Sequence, residues 1–393
     1  MAKNRTTSQH IDRAKALLRP NIAKMEGYQP GEQPAPGAKV IKLNTNENPY
    51  PPSPQVVAAL QKFLSDGGDR LRLYPNRFAQ SLRAKAAQIF NLPEDYILCG
   101  NGSDELLTMI TRAYVGPRQR GEIVYPYPSY ILYETLAEIE DAKSKTLDFP
   151  PDFSIPEGLA VTSARVLFLA NPNSPSGTIT SLEKVRALAQ TFQGLVVIDE
   201  AYADFADFNC LSLVRELDNV VVLRSFSKSY SLAGMRLGLA FAQPEIIASL
   251  MKVKESYNVD ALAAVAGVAA LDDQAHLAKN VAAVRATRTK LTEDLRKLGW
   301  EVLPSQANFV YARVRWNGPT AEATYMALKQ HDILVRYFPH RLLEDGLRIS
   351  VGNDMEIAAL VNVLERLAKT GSRIGVQGLQ VAPSHASDTN AAR

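Results

Sequence analysis

Short apolar runs alternate with helix-like patterns through most of this 393-residue chain, and that alternation limits the folds open to it. Strands are predicted over residues 96–99, 122–125, 166–170, 195–199, 220–224 and 237–241. Helices are predicted between them, among others over 104–114, 181–192 and 244–257. Continuous apolar strands separated by helices are typical of a mostly parallel sheet covered on both faces. We therefore predict an α/β fold with a large, mostly parallel sheet.

The pattern changes after about residue 270, and the change predicts a second, smaller domain of α+β type. Helices are predicted over 276–298, 320–330 and 354–369, and strands over 308–314, 333–337 and 347–351. An N-terminal arm and connector over 1–48, with a Pro/Gly-rich stretch at 27–37, is expected to join this small domain. The predicted organisation is completed by a large domain over 49–268, the small domain over 269–370 and a disordered tail over 371–393.

Composition excludes several classes of protein. The 44 Lys and Arg residues nearly balance the 41 Asp and Glu residues, so the net charge of +3 argues against a nucleic-acid partner. No apolar run reaches the roughly 18 residues of a membrane-spanning helix, and no apolar segment follows the N-terminal basic residues as in a secretory signal. The two cysteines, Cys99 and Cys210, predict no disulfide framework and a reducing, cytoplasmic location. The five histidines have no zinc-like spacing, so no metal site is expected.

Lys228 is the first candidate for covalent chemistry. It follows a predicted strand and lies among hydroxyl-bearing residues, where a lysine is well placed to form a Schiff base. Ser225 and Arg236 are near it in sequence, and hydroxyls with a guanidinium suit a phosphate monoester. A solvated loop lysine is the alternative interpretation of this fragment taken alone.

Other polar residues follow predicted strands. Asp199 ends one strand, at the edge where α/β sheets bind ligands. A buried carboxylate there needs a cationic or donating partner. The alternative interpretation of Asp199 is a helix N-cap.

Gly100-Asn-Gly-Ser-Asp-Glu105 joins a strand to a helix whose N-terminal N–H groups suit a phosphate, although a tight structural turn is equally compatible. Asn171-Pro-Asn-Ser-Pro-Ser-Gly177 forms a rigid loop at the same edge, and Tyr130 is placed to stack on a planar ring.

These stretches, in their order and spacing, resemble the fold-type-I pyridoxal-phosphate-dependent aminotransferases, and most closely the histidinol-phosphate aminotransferase family. The resemblance covers about residues 20–369. Each stretch is degenerate alone, but the series is specific. It consists of Tyr28-Gln-Pro, Leu43-Asn-Thr-Asn-Glu-Asn-Pro49, Arg72-Leu-Tyr-Pro75, Gly102-Ser-Asp-Glu105, the Asn171–Gly177 loop, Asp199-Glu-Ala-Tyr202, Ser225-Phe-Ser-Lys228, Ala233-Gly-Met-Arg236, Ala307-Asn-Phe309 and Leu347-Arg-Ile-Ser-Val-Gly352.

The resemblance implies a pyridoxal 5′-phosphate cofactor held by the large domain. Lys228 would bind it as a Schiff base, Asp199 would pair with the pyridine nitrogen, Tyr202 would donate to the ring oxygen, and Tyr130 would stack on the ring. The cofactor phosphate would be held by Gly102, Ser103, Asp104, Ser225 and Arg236, with Tyr74 reaching in from the other subunit of a homodimer.

The resemblance also implies a substrate pocket. Arg348 would bind the substrate phosphate, helped by Arg336 and Tyr28, and Asn308 would line the same pocket. One position departs from the family pattern: Ser174 stands where the family usually has an asparagine that donates to the ring oxygen. A serine hydroxyl is shorter, so this contact with the cofactor is expected to be longer or mediated by water.

The expected reaction is ping-pong transfer of an amino group between L-histidinol phosphate and 2-oxoglutarate, a step of histidine biosynthesis, with Lys228 as general base. Its partners are small molecules, with no nucleic acid and no membrane. Two alternatives share the cofactor motifs: an aromatic or broad-specificity aminotransferase, and a threonine-phosphate decarboxylase. A non-catalytic regulator built on the aminotransferase fold is a remote alternative, because only about 25 residues precede the matching region and leave no room for a helix-turn-helix domain.

Overall fold

The structure is a computed structural model that describes residues 13–27, 31–117, 121–316 and 318–371. Tyr28 and the predicted tail beyond residue 371 lie outside the described residues. Strands are numbered in chain order: β1 Ile41–Lys42, β2 Ile97–Gly100, β3 Glu122–Tyr127, β4 Lys143–Asp148, β5 Val166–Ala170, β6 Leu195–Asp199, β7 Val220–Ser225, β8 Gly238–Ala242, β9 Glu301–Val302, β10 Phe309–Arg313, β11 Ile333–Leu334, β12 Arg336–Tyr337 and β13 Gly346–Ser350.

The helices alternate with the strands of the first two thirds of the chain and then frame the C-terminal sheet. Those of the described residues are α1 Pro20–Lys24, α2 Pro54–Leu64, α3 Gln80–Phe90, α4 Gly102–Tyr114, α5 Leu132–Ile139, α6 Leu182–Thr191, α7 Leu213–Glu216, α8 Pro244–Met251, α9 Ala261–Asp272, α10 Gln274–Lys297, α11 Ala321–Gln330 and α12 Asp354–Gly371. Ser53 caps α2 by accepting a hydrogen bond from the Gln55 N–H, as its sequence position predicts.

The large sheet confirms the predicted α/β class. Within the described residues its seven strands lie in the order β2-β8-β7-β6-β5-β3-β4. Of these, β8 alone runs antiparallel to its neighbours, β2 and β7. The central strands β5, β6 and β7 are buried along their whole length. Alternate residues of each strand enter one of two apolar clusters, one on either face, which explains the unbroken apolar runs.

Three elements differ from the sequence predictions. The edge strand β4 carries an exposed, polar sequence, Lys-Ser-Lys-Thr-Leu-Asp, and therefore gives no apolar signal. The segment 333–337 is split between β11 and β12, which belong to different sheets. The helix predicted over 244–257 ends at Met251, and the segment after it leads to Asn258, whose side chain donates to the Cys99 carbonyl and the Glu105 carboxylate.

A second sheet lies in the C-terminal part of the chain, where the strands β12-β13-β10-β9 pair in that order. The N-terminal arm is tied to this part: β1 pairs in parallel with β11, and the Asn46 N–H donates to the Ser350 hydroxyl over 2.9 Å. These contacts agree with an arm that joins the small domain, while the domain boundaries remain a prediction. In the described part of the chain no helix is long and apolar enough to cross a bilayer.

Gly238, the first residue of β8, packs closely against the backbone at the start of α4. A Cβ atom there would lie 2.6 Å from the Gly102 carbonyl carbon and 2.7 Å from the Ser103 nitrogen. Because these are backbone atoms at the start of α4, they cannot move aside as a side chain can. We predict that Gly238→Ala lowers the free energy of unfolding by about 1–3 kcal/mol, measured by urea denaturation.

Gly234→Ala is the matched control for this prediction, because a Cβ at Gly234 meets nothing within 4 Å. The control is expected to unfold at the wild-type urea concentration. Equal stability of the two variants would contradict the steric argument.

Candidate active site

A cavity of about 400 Å³ opens at the carboxyl edge of the large sheet. Its floor is made where β5, β6 and β7 end, at Ala170, Asp199 and Ser225. Because parallel strands end at the same edge, residues far apart in sequence meet here. The cavity also receives Lys228 from the loop after β7, together with residues of the N-terminal arm and of the C-terminal sheet.

Asp199 is a buried carboxylate, 5% exposed, at the end of β6. The Tyr133 hydroxyl donates to its Oδ2 over 3.0 Å, and the Ala201 N–H donates to Oδ1 over 3.2 Å. Burial raises the pKa of Asp199 to about 6: the hydrogen bonds from Tyr133 and Ala201 act against this rise, and the nearby carboxylates of Asp104 and Glu200 add to it. A cation against this carboxylate would stabilise the ionised form.

Lys228 lies in the cavity beside the N-terminal arm. Its Nζ donates to the Thr45 carbonyl over 3.2 Å and lies 5.8 Å from the centre of the Tyr202 ring. Asn48 Nδ2 donates to the Lys228 carbonyl over 3.0 Å, which fixes the backbone that carries the amine. The arrangement places the Lys228 amine, hydrogen-bonded to the Thr45 carbonyl, in the cavity whose floor includes Asp199.

The predicted phosphate site forms one end of the cavity. Gly102 opens α4 with a φ of +75°, a left-handed conformation that favours glycine, and the space where a Cβ would stand is taken by the Arg236 guanidinium, whose Nη2 would lie 2.6 Å from it. Arg236 donates to the Ser227 hydroxyl over 3.2 Å and to the Asp104 carboxylate over 3.3 Å. The residues of this end that line the cavity are Ser103, Asp104, Ser225, Ser227 and Arg236. Together with the N–H groups of the first turn of α4, they suit a phosphate.

The two tyrosines predicted to contact a cofactor ring both line the cavity. The Tyr202 hydroxyl accepts from Asn46 Nδ2 over 3.0 Å, and its ring meets Phe309 edge-on at 5.0 Å between centroids. The Tyr130 hydroxyl donates to Asp104 over 3.2 Å. Their side chains are thus held before any ligand enters.

Two arginines face the cavity from the C-terminal sheet. Arg336 of β12 and Arg348 of β13 are direct cross-strand partners. Arg348 donates to the Asn44 carbonyl over 2.8 Å and to the Ser174 hydroxyl over 3.2 Å. Ser174 therefore lines the cavity as an acceptor for Arg348, whereas the sequence predicted it as a ligand of the cofactor ring.

Two further predicted site residues are held by contacts with other parts of the described chain. Asn308 is fully buried, and its Nδ2 donates over 3.0 Å to the carbonyl of Asn46, a residue that lines the cavity; its contact with substrate stays a prediction. Tyr74 is 81% exposed, away from the cavity of its own chain, and stacks on Tyr257 at 4.6 Å. Tyr28 lies outside the described residues.

Several residues of the site were missed by sequence reasoning. Tyr133, in the first turn of α5, is one of them: its hydroxyl donates to Asp199, and its ring meets the Tyr130 ring edge-on at 5.7 Å between centroids. Glu47 and His340 line the cavity, and no sequence pattern indicates either of them. Burial acts to raise the pKa of Glu47, but hydrogen bonds from Lys42 and Thr45 outweigh it, so the pKa lies below its ordinary value.

The cavity fits pyridoxal phosphate on its own geometry. Asp199 is a buried carboxylate in want of a cation at the floor, and a protonated pyridine nitrogen is one. The Gly102 turn with Arg236 supplies a phosphate site at one end, and Lys228 supplies an amine between them. No group of His, Cys, Asp and Glu in the described part of the chain is arranged to hold a metal ion.

Comparison with known proteins agrees with this geometry. The family model "Aminotransferase class I and II" matches residues 38–367. The chain is 47% identical over 351 residues to histidinol-phosphate aminotransferase of Rhodopirellula baltica, covering 88% of this chain and 95% of that one. It is 45% identical over 350 residues to histidinol-phosphate aminotransferase of Geotalea daltonii, covering 88% of this chain and 99% of that one.

A solved structure supports the same assignment. Histidinol-phosphate aminotransferase from Sinorhizobium meliloti, in complex with pyridoxal 5′-phosphate, superposes with a TM-score of 0.82 at 25% identity and covers 90% of this chain and 98% of that one. The resemblance found in the sequence motifs is thereby confirmed. The chain belongs to the class I and II aminotransferases and, within them, to the histidinol-phosphate aminotransferase family.

Proposed function

We propose that this protein is a pyridoxal-phosphate-dependent transaminase that moves the amino group of L-histidinol phosphate to 2-oxoglutarate in histidine biosynthesis. The observation that carries the substrate assignment is the pair Arg336 and Arg348, which face the cavity of Lys228 from adjacent strands. Two guanidinium groups at one end of a cavity suit a dianionic phosphate, and a second phosphate site at the other end suits the cofactor. The 45–47% identity to curated histidinol-phosphate aminotransferases points to the same substrate.

Pyridoxal phosphate, when bound, supplies an electron sink that stabilises negative charge at the substrate's α-carbon. The residues of the chain hold it in this assignment: the Asp199 carboxylate accepts from the pyridine N–H, Tyr202 donates from its hydroxyl to the ring oxygen, and Lys228 provides the amine for the covalent link. Tyr133 orients the Asp199 carboxylate through its hydrogen bond. Because Asp199 is buried, its ionised form is stabilised most by a cation placed directly against it.

Lys228 also moves the proton in this proposal. As general base, the Lys228 amine would accept the proton of the substrate's α-carbon and then donate it back to the reacting group, while bound pyridoxal phosphate would stabilise the negative charge left on that carbon. The hydrogen bonds of Asn48 to the Lys228 and Ser229 carbonyls keep the backbone in place while the side chain swings. Arg348, held by Asn44 and Ser174, fixes the distal phosphate or carboxylate, which orients the α-carbon toward Lys228.

The proposal includes a homodimer with shared active sites. Tyr74 is exposed outside its own cavity, and apolar Leu71, Leu73 and Phe78 close to it are also exposed. Contact with a second copy would cover this surface and bring Tyr74 toward a neighbouring phosphate site. A cytoplasmic location fits Cys99 and Cys210, which are both buried and unpaired with each other.

A substrate screen with purified protein and added cofactor tests the assignment. Histidinol phosphate, phenylalanine and threonine phosphate are each offered with 2-oxoglutarate, and glutamate formation is measured. We expect the highest kcat/KM with histidinol phosphate. Preference for phenylalanine would favour an aromatic aminotransferase instead, and carbon dioxide release from threonine phosphate would favour a decarboxylase.

Lys228→Ala is predicted to lower kcat by about 10³-fold or more, because it removes both the covalent link and the general base. The visible absorbance of the lysine-bound cofactor is expected to disappear as well, which a spectrum of the purified protein measures. Lys252→Ala, which removes an exposed lysine at the end of α8, is the control and should keep both. An alanine variant at 228 that still cycles amino groups would refute the role.

Arg348→Ala is predicted to lower kcat/KM for both half-reactions by about 10- to 100-fold, because a charge-assisted hydrogen bond to each substrate is lost. Steady-state kinetics with each substrate varied in turn measures this. Arg315→Ala, at an exposed ion pair with Glu301 and Asp345, is the control. A loss confined to one substrate would mean that one arginine does not serve both.

The raised pKa of Asp199 predicts a pH-dependent stability of the cofactor-free protein. A carboxyl with a pKa of about 6 in the folded state and 3.8 ordinarily contributes stability below about pH 4, and that contribution is lost as the pH rises through 6. Cofactor-free Asp199→Asn should therefore exceed cofactor-free wild type above pH 6 by at most about 3 kcal/mol in urea unfolding, with no gain at pH 4. With cofactor bound the order should reverse, since the pyridinium then favours the carboxylate.

A further inference from the structure

A network of hydrogen bonds joins Glu200, Arg224, Asp204 and Ser229, of which Asp204 is half-buried and the other three are buried, next in sequence to residues that line the cavity. Arg224 donates from Nε to Glu200 over 2.8 Å and from Nη1 to Asp204 over 2.6 Å. The other oxygen of Asp204 accepts a hydrogen bond from the Ser229 hydroxyl. The other oxygen of Glu200 accepts from the Cys210 N–H. The Arg224 guanidinium thus connects the segment that carries Ser229 to the segment that carries Cys210, through the carboxylates of Asp204 and Glu200.

Each member of this network lies one or two positions in sequence from a residue that lines the cavity. Glu200 follows Asp199, and Arg224 precedes Ser225. Ser229 follows Lys228, and Asp204 lies two residues after Tyr202. None of the four members lines the cavity. They are placed to act on it only through their neighbours.

Burial makes stability a poor explanation for this arrangement. Glu200 is 1% exposed, Arg224 is 7% exposed and Ser229 is 2% exposed. Removing such charges from water is costly, and well-packed apolar residues often stabilise a fold equally well or better. Charge-assisted hydrogen bonds fix the direction and the distance between two segments, which apolar contacts do not.

We propose that the Glu200–Arg224–Asp204–Ser229 network is a positioning device that sets the Lys228 backbone relative to Asp199 and Tyr202. The inference rests on the proposed function and names residues that act through others in that same site. Ser229 anchors the peptide after Lys228 to Asp204, and Asn48 anchors the same peptide from the arm. With both anchors in place only the Lys228 side chain is free to move between the cofactor and the substrate's α-carbon.

The expected effect is on geometry at the reacting atoms rather than on binding. A misplacement of about 1 Å between a catalytic group and its target lowers a rate by as much as about 10²-fold. The groups that face Lys228 directly are Thr45, Tyr202 and the carboxylate of Glu47, whereas the Ser229 hydroxyl is hydrogen-bonded to Asp204, so changing Ser229 removes no contact of theirs with Lys228. A change in the titration of the Schiff base therefore reports a displaced Lys228.

Ser229→Ala is the first test, because it removes one hydrogen bond and leaves the ion pairs of Arg224 intact. In the holoenzyme we expect kcat to fall about tenfold with KM for histidinol phosphate unchanged, and the pH midpoint of the Schiff-base absorbance to move by about half a unit. Ser231→Ala is the matched control on the same loop: its hydroxyl is buried with no hydrogen-bond partner among the described residues. Indistinguishable kcat and midpoint in the two variants would overturn the proposal.

Asp204→Asn is the second test, since it keeps the size of the side chain and one acceptor but removes the charge that faces Arg224. A shift of the midpoint and a fall in kcat at retained cofactor occupancy support positioning. A lower melting temperature with unchanged midpoint and kcat overturns it in favour of a purely structural role. The midpoint is measured without substrate, so a protein that binds the cofactor through Lys228 but does not use histidinol phosphate refutes the proposed function and leaves this test valid.

Discussion

Burial of the Asp199 carboxylate is the constraint on which the site depends. Asp199 ends β6, which is buried along its whole length. The carboxylate is therefore largely removed from water, and its pKa rises to about 6. The Tyr133 hydroxyl compensates only in part. A ligand that places a cation against the Asp199 carboxylate is favoured, because the cation stabilises the ionised form of a group that has lost most of its hydration. The phosphate end and the lysine are arranged around this fixed point.

The sequence predicted the central part of the fold well, because fully buried strands leave an unmistakable pattern. The predicted limits of β5 and β6 agree with the observed Val166–Ala170 and Leu195–Asp199. The polar edge strand β4 was missed, since an exposed strand carries no apolar run. The antiparallel direction of β8 was not predicted either, because strand direction depends on pairing partners rather than on composition.

The site was predicted more completely on its cofactor side than on its substrate side. Lys228, Asp199 and Arg236 belong to local motifs, and each motif fixes its own neighbours. The hydrogen bond from Asn308 to Asn46 could not be predicted from the sequence, because it joins residues 262 positions apart. The hydrogen bond from Arg348 to the Ser174 hydroxyl has the same origin, since it depends on how two distant parts of the chain meet.

The exposed edge of the large sheet has a consequence for the behaviour of the protein in concentrated solution. An unpaired edge strand is a template for the strands of other molecules, and charged side chains prevent that pairing. β4 presents Lys143 and Lys145 to solvent, and its last residue, Asp148, is paired with Arg341 from the C-terminal part of the chain. Two copies meeting edge to edge would place like charges together and would have to break that ion pair. The charged side chains of β4 and its ion pair thus protect this edge against fibrillar aggregation.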